Sequence, residues 1–116
     1  MLGVRDTRDD ADPALAGISS RVDCAVALAP ETDMTIPFTA AFYPSVFGGT
    51  LEEVPEVYRD ASPLAFVDER TVPFLFVHGI PDDAVPVEHS RLMTAALQAL
   101  GIEVMLVELA GASHFT

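Results

Sequence analysis

Apolar residues fall along this chain in short runs parted by polar stretches, and the period of each run assigns its structure. Residues 72–77, Val-Pro-Phe-Leu-Phe-Val, form a continuous apolar run rich in β-branched and aromatic side chains. It predicts a buried strand, stopped by His78-Gly79. In residues 21–29, Val22, Cys24, Val26 and Leu28 alternate with Asp23, Ala25 and Ala27, and Pro30 closes the run. Its small-residue second face predicts a strand covered on both sides, with Cys24 a small buried core residue. Residues 102–109 set Val104, Leu106 and Leu109 against polar or acidic neighbours, which predicts a third strand. Before it, Met93, Ala96, Leu97 and Leu100 recur at helical spacing. Residues 87–100 therefore predict a helix with Gly101 just past its end.

The remaining segments are less regular. Residues 6–12 read as a polar, acid-rich loop and 13–18 as a short helical turn. Residues 31–47 carry scattered aromatics broken by Pro37 and Pro44, an irregular excursion with one short helix. Gly48-Gly49 ends it. Thr50 and Glu53 then stand at capping-box spacing and start a helical stretch to about Asp60, with Pro55 dividing it and Ser62-Pro63 breaking it. Strand, helix and strand in the order of residues 72–109 make a right-handed βαβ crossover, and the strand at 21–29 brings the sheet to about three parallel strands. The fold class is α/β, in one domain over residues 1–116.

Composition narrows the function more than the fold. Half of the 116 residues are hydrophobic, enough for a core and too many for a disordered tail. No apolar run approaches the ~18 residues needed to cross a bilayer, and no basic segment followed by an apolar one reads as a signal peptide. Eighteen acids against six bases give a net charge of −12, which repels phosphate backbones and anionic lipid. Neither nucleic acid nor a membrane is an expected partner. Cys24 is the one cysteine, so no internal disulfide and no Cys-x-x-Cys site exists. The compartment stays open.

Chemistry points to Asp82 and His114. In an open parallel sheet, ligands gather at the carboxyl ends of the strands. Asp82 lies just past the run at 72–77, and His114 just past the run at 102–109. Adjacent strands are only about 4.8 Å apart, so loops leaving one edge can bring a carboxylate to an imidazole. Such a carboxylate fixes the imidazole tautomer and leaves the other nitrogen free to take a proton from a nucleophile. From spacing alone, two solvated loop residues are the favoured reading.

The segment His78-Gly79-Ile80-Pro81-Asp82-Asp83-Ala84-Val85-Pro86, followed by Glu88-His89-Ser90, resembles the HGxxDxxVP segment of α/β-hydrolases. It is closest to their prolyl-oligopeptidase-like and feruloyl/acetyl-esterase-like branch. The ending Glu108-Leu109-Ala110-Gly111-Ala112-Ser113-His114 resembles that family's last strand and catalytic His loop, although Phe115 stands where relatives carry Gly. Further ordered matches at residues 13–22, Pro30 to Asp33, 47–50 and 61–64 extend the likeness over nearly the whole chain. The resemblance implies a serine-type hydrolase of carboxylic esters or peptide bonds, with Asp82 as triad acid and His114 as base. No cofactor is implied. His78 is expected to support the loop, Asp83 to be a bystander and His89 to lie on the surface. Glu31 and Asp33 read as solvated rim residues, and Phe38, Phe42, Tyr43 and Phe47 as packing of the excursion rather than pocket lining.

One part of the family's pattern is missing from the chain, the GxSxG nucleophile elbow. Ser113 adjoins the His, Ser45 follows no strand, and Cys24 lies within one, so none forms a strand-turn-helix elbow. The resemblance then reads the chain as the C-terminal part of a hydrolase domain, inactive alone, with a strand edge beside residues 21–29 exposed for association. Two rivals stand beside it. A metal site at His78, Asp82, Asp83 and His114 lacks any His-x-x-x-His or Asp-x-Asp spacing among those residues. A non-catalytic α/β interaction module or degenerate subunit would use the exposed edge as its working surface.

Overall fold

Three parallel strands lie in the order β1, β2, β3: Ala25–Leu28, Phe74–Gly79 and Val104–Leu109. They come from a computed structural model that describes residues 3–4 and 12–116. The acidic loop expected at 6–12 lies outside the described residues except for Asp12, whose side chain accepts the Ala14 N–H at 2.9 Å and caps a 3₁₀ turn over Pro13–Leu15.

The pleat divides the sheet into two unlike faces. On one, Ala25 and Ala27 register with Phe74 and Phe76, and these with Val104 and Leu106. Helix α4, Glu88–Ala99 (numbered after α1 to α3 below), covers this face and inserts Met93 and Leu97, both fully buried, against Phe76. The helix ends in a Schellman motif. Gly101 takes φ +73°, its N–H reaches the Gln98 carbonyl at 3.0 Å, and the Ile102 N–H reaches that of Leu97 at 3.0 Å. The chain can thus reverse into β3 at once.

On the other face Val26, Leu75 and Met105 line up in one row, and Leu28, Val77 and Val107 in the next. Val26, Leu28 and Met105 are 65%, 73% and 62% exposed. A shallow open depression of about 310 Å³ runs over Cys24, Val26, Leu75 and Met105. The strand expected to be covered on both sides is therefore covered on one. Its alanines face the core, because Phe74 and Phe76 already fill the space beneath α4. Cys24 shares the parity of Val26 and Leu28 and is exposed, not buried as expected.

Between β1 and β2 the chain makes three short helices, α1 (Pro37–Ala40), α2 (Pro44–Phe47) and α3 (Pro55–Asp60), then a 3₁₀ turn over Pro63–Phe66. Each begins on a proline, which lacks an N–H to leave unsatisfied and carries the right φ. The excursion thus holds two one-turn helices where one was expected. The Thr50–Glu53 pair forms its reciprocal bonds, Thr50 N–H to Glu53 Oε2 at 2.8 Å and Glu53 N–H to Thr50 Oγ1 at 3.3 Å. It closes only a turn, since Pro55 forces Val54 out of helical geometry (φ −134°, ψ 57°) and a new helix starts there. A second small core forms here: Met34, Ala40 and the fully buried Tyr58, with Tyr43 and Phe47 against them. No helix among the described residues is long and apolar enough to cross a membrane.

Candidate active site

The carboxyl ends of all three strands open onto one rim. At the end of β2 the chain turns through Gly79 to Asp82, which is 8% exposed. One carboxylate oxygen, Oδ1, accepts the N–H groups of Ala84 at 3.0 Å and Val85 at 2.8 Å. The other, Oδ2, accepts from His114 Nδ1 at 2.9 Å. Burial alone would push this carboxyl up. The Val85 N–H, the His114 bond and the Ala84 N–H outweigh it, and the group is held below its usual range. Asp82 is thus an anion with both oxygens committed.

That commitment sets the imidazole. With Nδ1–H donating to Asp82, the neutral His114 ring keeps the lone pair on Nε2. No described residue hydrogen bonds to that nitrogen, and the side chain is 29% exposed. In this arrangement Nε2 can take up a proton while the carboxylate stabilises the resulting imidazolium.

A backbone contact holds the two loops together. A Cβ on Gly79 would come within 1.8 Å of the Ala112 carbonyl oxygen, so only glycine lets the His114 loop press against the end of β2. Gly79 was expected to stop the strand. The strand instead includes both His78 and Gly79, and the glycine is there for close approach. The next N–H, of Ile80, continues the ladder to the Leu109 carbonyl at 2.9 Å.

His78 lies beneath the site with its ring between two hydrogen bonds. Nδ1 accepts from the Ser90 hydroxyl at 2.7 Å, and Nε2–H donates to the Val85 carbonyl at 2.8 Å. Its Nε2 is 3.6 Å from Asp82 Oδ2, so the bond goes to the loop and not to the carboxylate. His78 holds the turn whose N–H groups hold Asp82. Asp83 is exposed and makes no bond to His114.

The loop after β1 completes the rim. Glu31 accepts the phenol of Tyr43, which holds that hydroxyl's pKa at about 12 through this bond, burial and the carboxylate's charge. Asp33 caps the following turn, accepting the N–H and hydroxyl of Thr35 at 2.9 and 2.6 Å. The four aromatics of the excursion divide. Tyr43 and Phe47 stack 5.1 Å apart and pack on Tyr58, whereas Phe38 and Phe42 form an exposed edge-to-face pair. Ser113 hydrogen bonds Thr116 within the His114 loop, and Ser45 is exposed on α2. Among the described residues no three or more His, Cys, Asp or Glu side chains are grouped to hold a metal ion.

His89 overturns its expectation outright. It is fully buried, not on the surface, and its Nδ1 accepts the N–H groups of Thr32 and Asp33 at 3.1 and 3.2 Å. The signal was in the helical stripe, where His89 stands four residues before Met93 and eight before Leu97, on the face that packs.

Three parallel strands with flanking helices, and an acid and an imidazole on neighbouring strand ends, make up part of an α/β-hydrolase fold. The sequence profile of the prolyl oligopeptidase family matches residues 14–116, and the chain belongs to that family. Esterase LipC of Mycobacterium tuberculosis is 36% identical over 107 residues, covering 91% of this chain and 26% of that protein. The structure of an acetyl ester-xyloside bifunctional hydrolase from Caldicellulosiruptor lactoaceticus superposes with a TM-score of 0.80 at 25% identity, over 97% of this chain and 42% of that one. Pyrococcus horikoshii acylaminoacyl peptidase shares the fold, with a TM-score of 0.71 at 20% identity over 84% of this chain and 17% of its own. This chain thus spans about a quarter of LipC's length.

Proposed function

We propose that Asp82 and His114 are the acid and base of a serine-type hydrolase acting on carboxylic esters or peptide bonds. The chain supplies the C-terminal part of that hydrolase domain, and the serine elbow and oxyanion hole come from sequence outside these residues. The observation that supports this reading is the 2.9 Å bond from His114 Nδ1 to a carboxylate whose remaining oxygen is held by two backbone N–H groups.

In this reading the serine hydroxyl gives its proton to His114 Nε2 as Oγ attacks the substrate carbonyl carbon. The imidazolium is stabilised by Asp82 and returns the proton to the departing alcohol or amine. Water repeats the cycle on the acyl-enzyme and releases the acid. Of the two substrate classes, esters are favoured by the esterase relative and the acetyl ester hydrolase structure. The isolated chain is inactive, because loss of the nucleophile and oxyanion donors removes the main contributions to rate.

Co-expression with an upstream half carrying a GxSxG elbow tests the reading. Hydrolysis of p-nitrophenyl acetate should appear, and His114→Ala should lower it by about 10³-fold or more. Unchanged hydrolysis in the His114→Ala pair would reject the base.

A further inference from the structure

We infer that His89, held as a neutral imidazole, is the positioning residue that latches the β1 rim loop to α4 beside the Asp82–His114 pair. The ring sits at a three-way junction. Nδ1 accepts two successive backbone N–H groups, from Thr32 at 3.1 Å and Asp33 at 3.2 Å. Only an unprotonated Nδ1 can accept them, so the proton lies on Nε2, which donates to Thr39 Oγ1 at 2.7 Å. In return the Thr32 hydroxyl donates to the His89 carbonyl at 2.6 Å. Thr32, Thr39 and His89 are all essentially inaccessible. One side chain on α4 thereby fixes the loop that follows β1 and the first helix of the aromatic excursion.

What this latch holds is the third sector of the rim. Glu31 precedes Thr32, and the exposed Phe38–Phe42 pair brackets Thr39. If the ring gains a proton, Nδ1 becomes a donor facing two donors, and the junction opens. Burial pushes the His89 pKa below its ordinary 6.5. The groups facing it act in both directions: Glu31 and Asp33 on the loop and Glu88 on its own helix favour the proton, and His78 on β2 opposes it. A folded-state value depressed below the unfolded one means the latch is fully present above pH 6.5 and is lost as pH falls through the lower folded-state value. The inference rests on the hydrolase reading only for the meaning of the rim, because its test reads loop amides and no catalysis.

The test uses the ¹⁵N-labelled chain, following amide exchange across pH with correction for its intrinsic pH dependence. Near neutral pH, His89 should show a bare Nδ1 and a protonated Nε2, with the Thr32 and Asp33 amides protected. On acidification those two amides should lose protection together, about tenfold, while Phe76 and Met93 stay protected. His89→Gln retains a carbonyl acceptor and should keep the amides protected without the pH dependence; His89→Leu should release them at every pH. The inference is overturned if the two amides stay protected while His89 is seen protonated. It is equally overturned if they open only together with the core, or if His89→Leu leaves them unchanged. The wild-type titration decides even should a variant fail to fold.

Discussion

At the scale of single residues, the site depends on what each group leaves no room to do. Gly79 leaves no room for a Cβ, with the Ala112 carbonyl oxygen 1.8 Å from where one would stand. Gly79→Ala should push the His114 loop outward while the chain still melts cooperatively. In the complemented hydrolase it should cost about 10²-fold in ester hydrolysis, the usual effect of a displaced catalytic group. Undiminished hydrolysis would show that the contact does not position His114. Asp82 makes a separate prediction. Its carboxyl is held below the ordinary 3.8, so its stabilising effect is present above that value and lost as pH falls through the lower folded one. Denaturant titrations of Asp82→Asn should show a shallower stability loss below about pH 4 than the parent. Identical acid profiles would mean that the bonds to Oδ1 and Oδ2 do not stabilise the anion. That Asp82 and His114 meet was legible in the sequence, because strand ends and the HGxxDxxVP spacing marked them. Gly79's role was not, since a glycine at a strand end reads as a stop, and only the neighbouring loop's path shows the close approach.

At the scale of elements, α4 is the platform. Its buried stripe of His89, Met93 and Leu97 packs β2 and the β1 loop, and Ser90 from the same helix steadies His78. Arg91 adds a two-pronged pair to Glu108 near the end of β3, at 2.6 and 3.1 Å. That pair is half-exposed and contributes modestly, whereas Leu97 is wholly buried. Leu97→Ala should therefore cost about 2–5 kcal/mol in equilibrium unfolding, and a change under about 1 kcal/mol would show the helix loosely packed. The helix and strand β3 followed from periodicity, β2 from its continuous run of β-branched and aromatic residues, and the glycine stop from its place just past the helix. The stretch from Pro37 to Asp60 did not, because three successive one- or two-turn helices begin on prolines and none is long enough to show a period. His89 was misplaced for a different reason: a polar residue in an apolar stripe was assigned by its type and not by its position.

At the scale of the molecule, the two faces of the sheet differ sharply. One is sealed by α4, and the other presents Val26, Leu28 and Met105 to solvent in adjacent rows. Apolar patches of this kind are working or mating surfaces in soluble proteins. The outer edge of β1 is also unpaired among the described residues. The chain alone is expected to self-associate, with light scattering giving a mass that rises with concentration. Met105→Glu should shift it toward monomer. A parent chain that stays monomeric at high concentration would contradict this, and the net charge of −12 is the one global feature opposing association. Alternation in residues 21–29 announced the strand without saying which faces would be covered, since pattern reports polarity and coverage depends on the rest of the fold.

The orientation of the His114 imidazole underlies the proposed hydrolase chemistry. Long-range ¹H–¹⁵N correlation of the His114 ring reports it directly in the chain as it stands. The ring should carry its proton on Nδ1, hydrogen bonded to Asp82, with Nε2 bare, and Asp82→Ala should abolish that preference. A parent ring protonated on Nε2, or one whose tautomer ignores the loss of Asp82, would contradict the account.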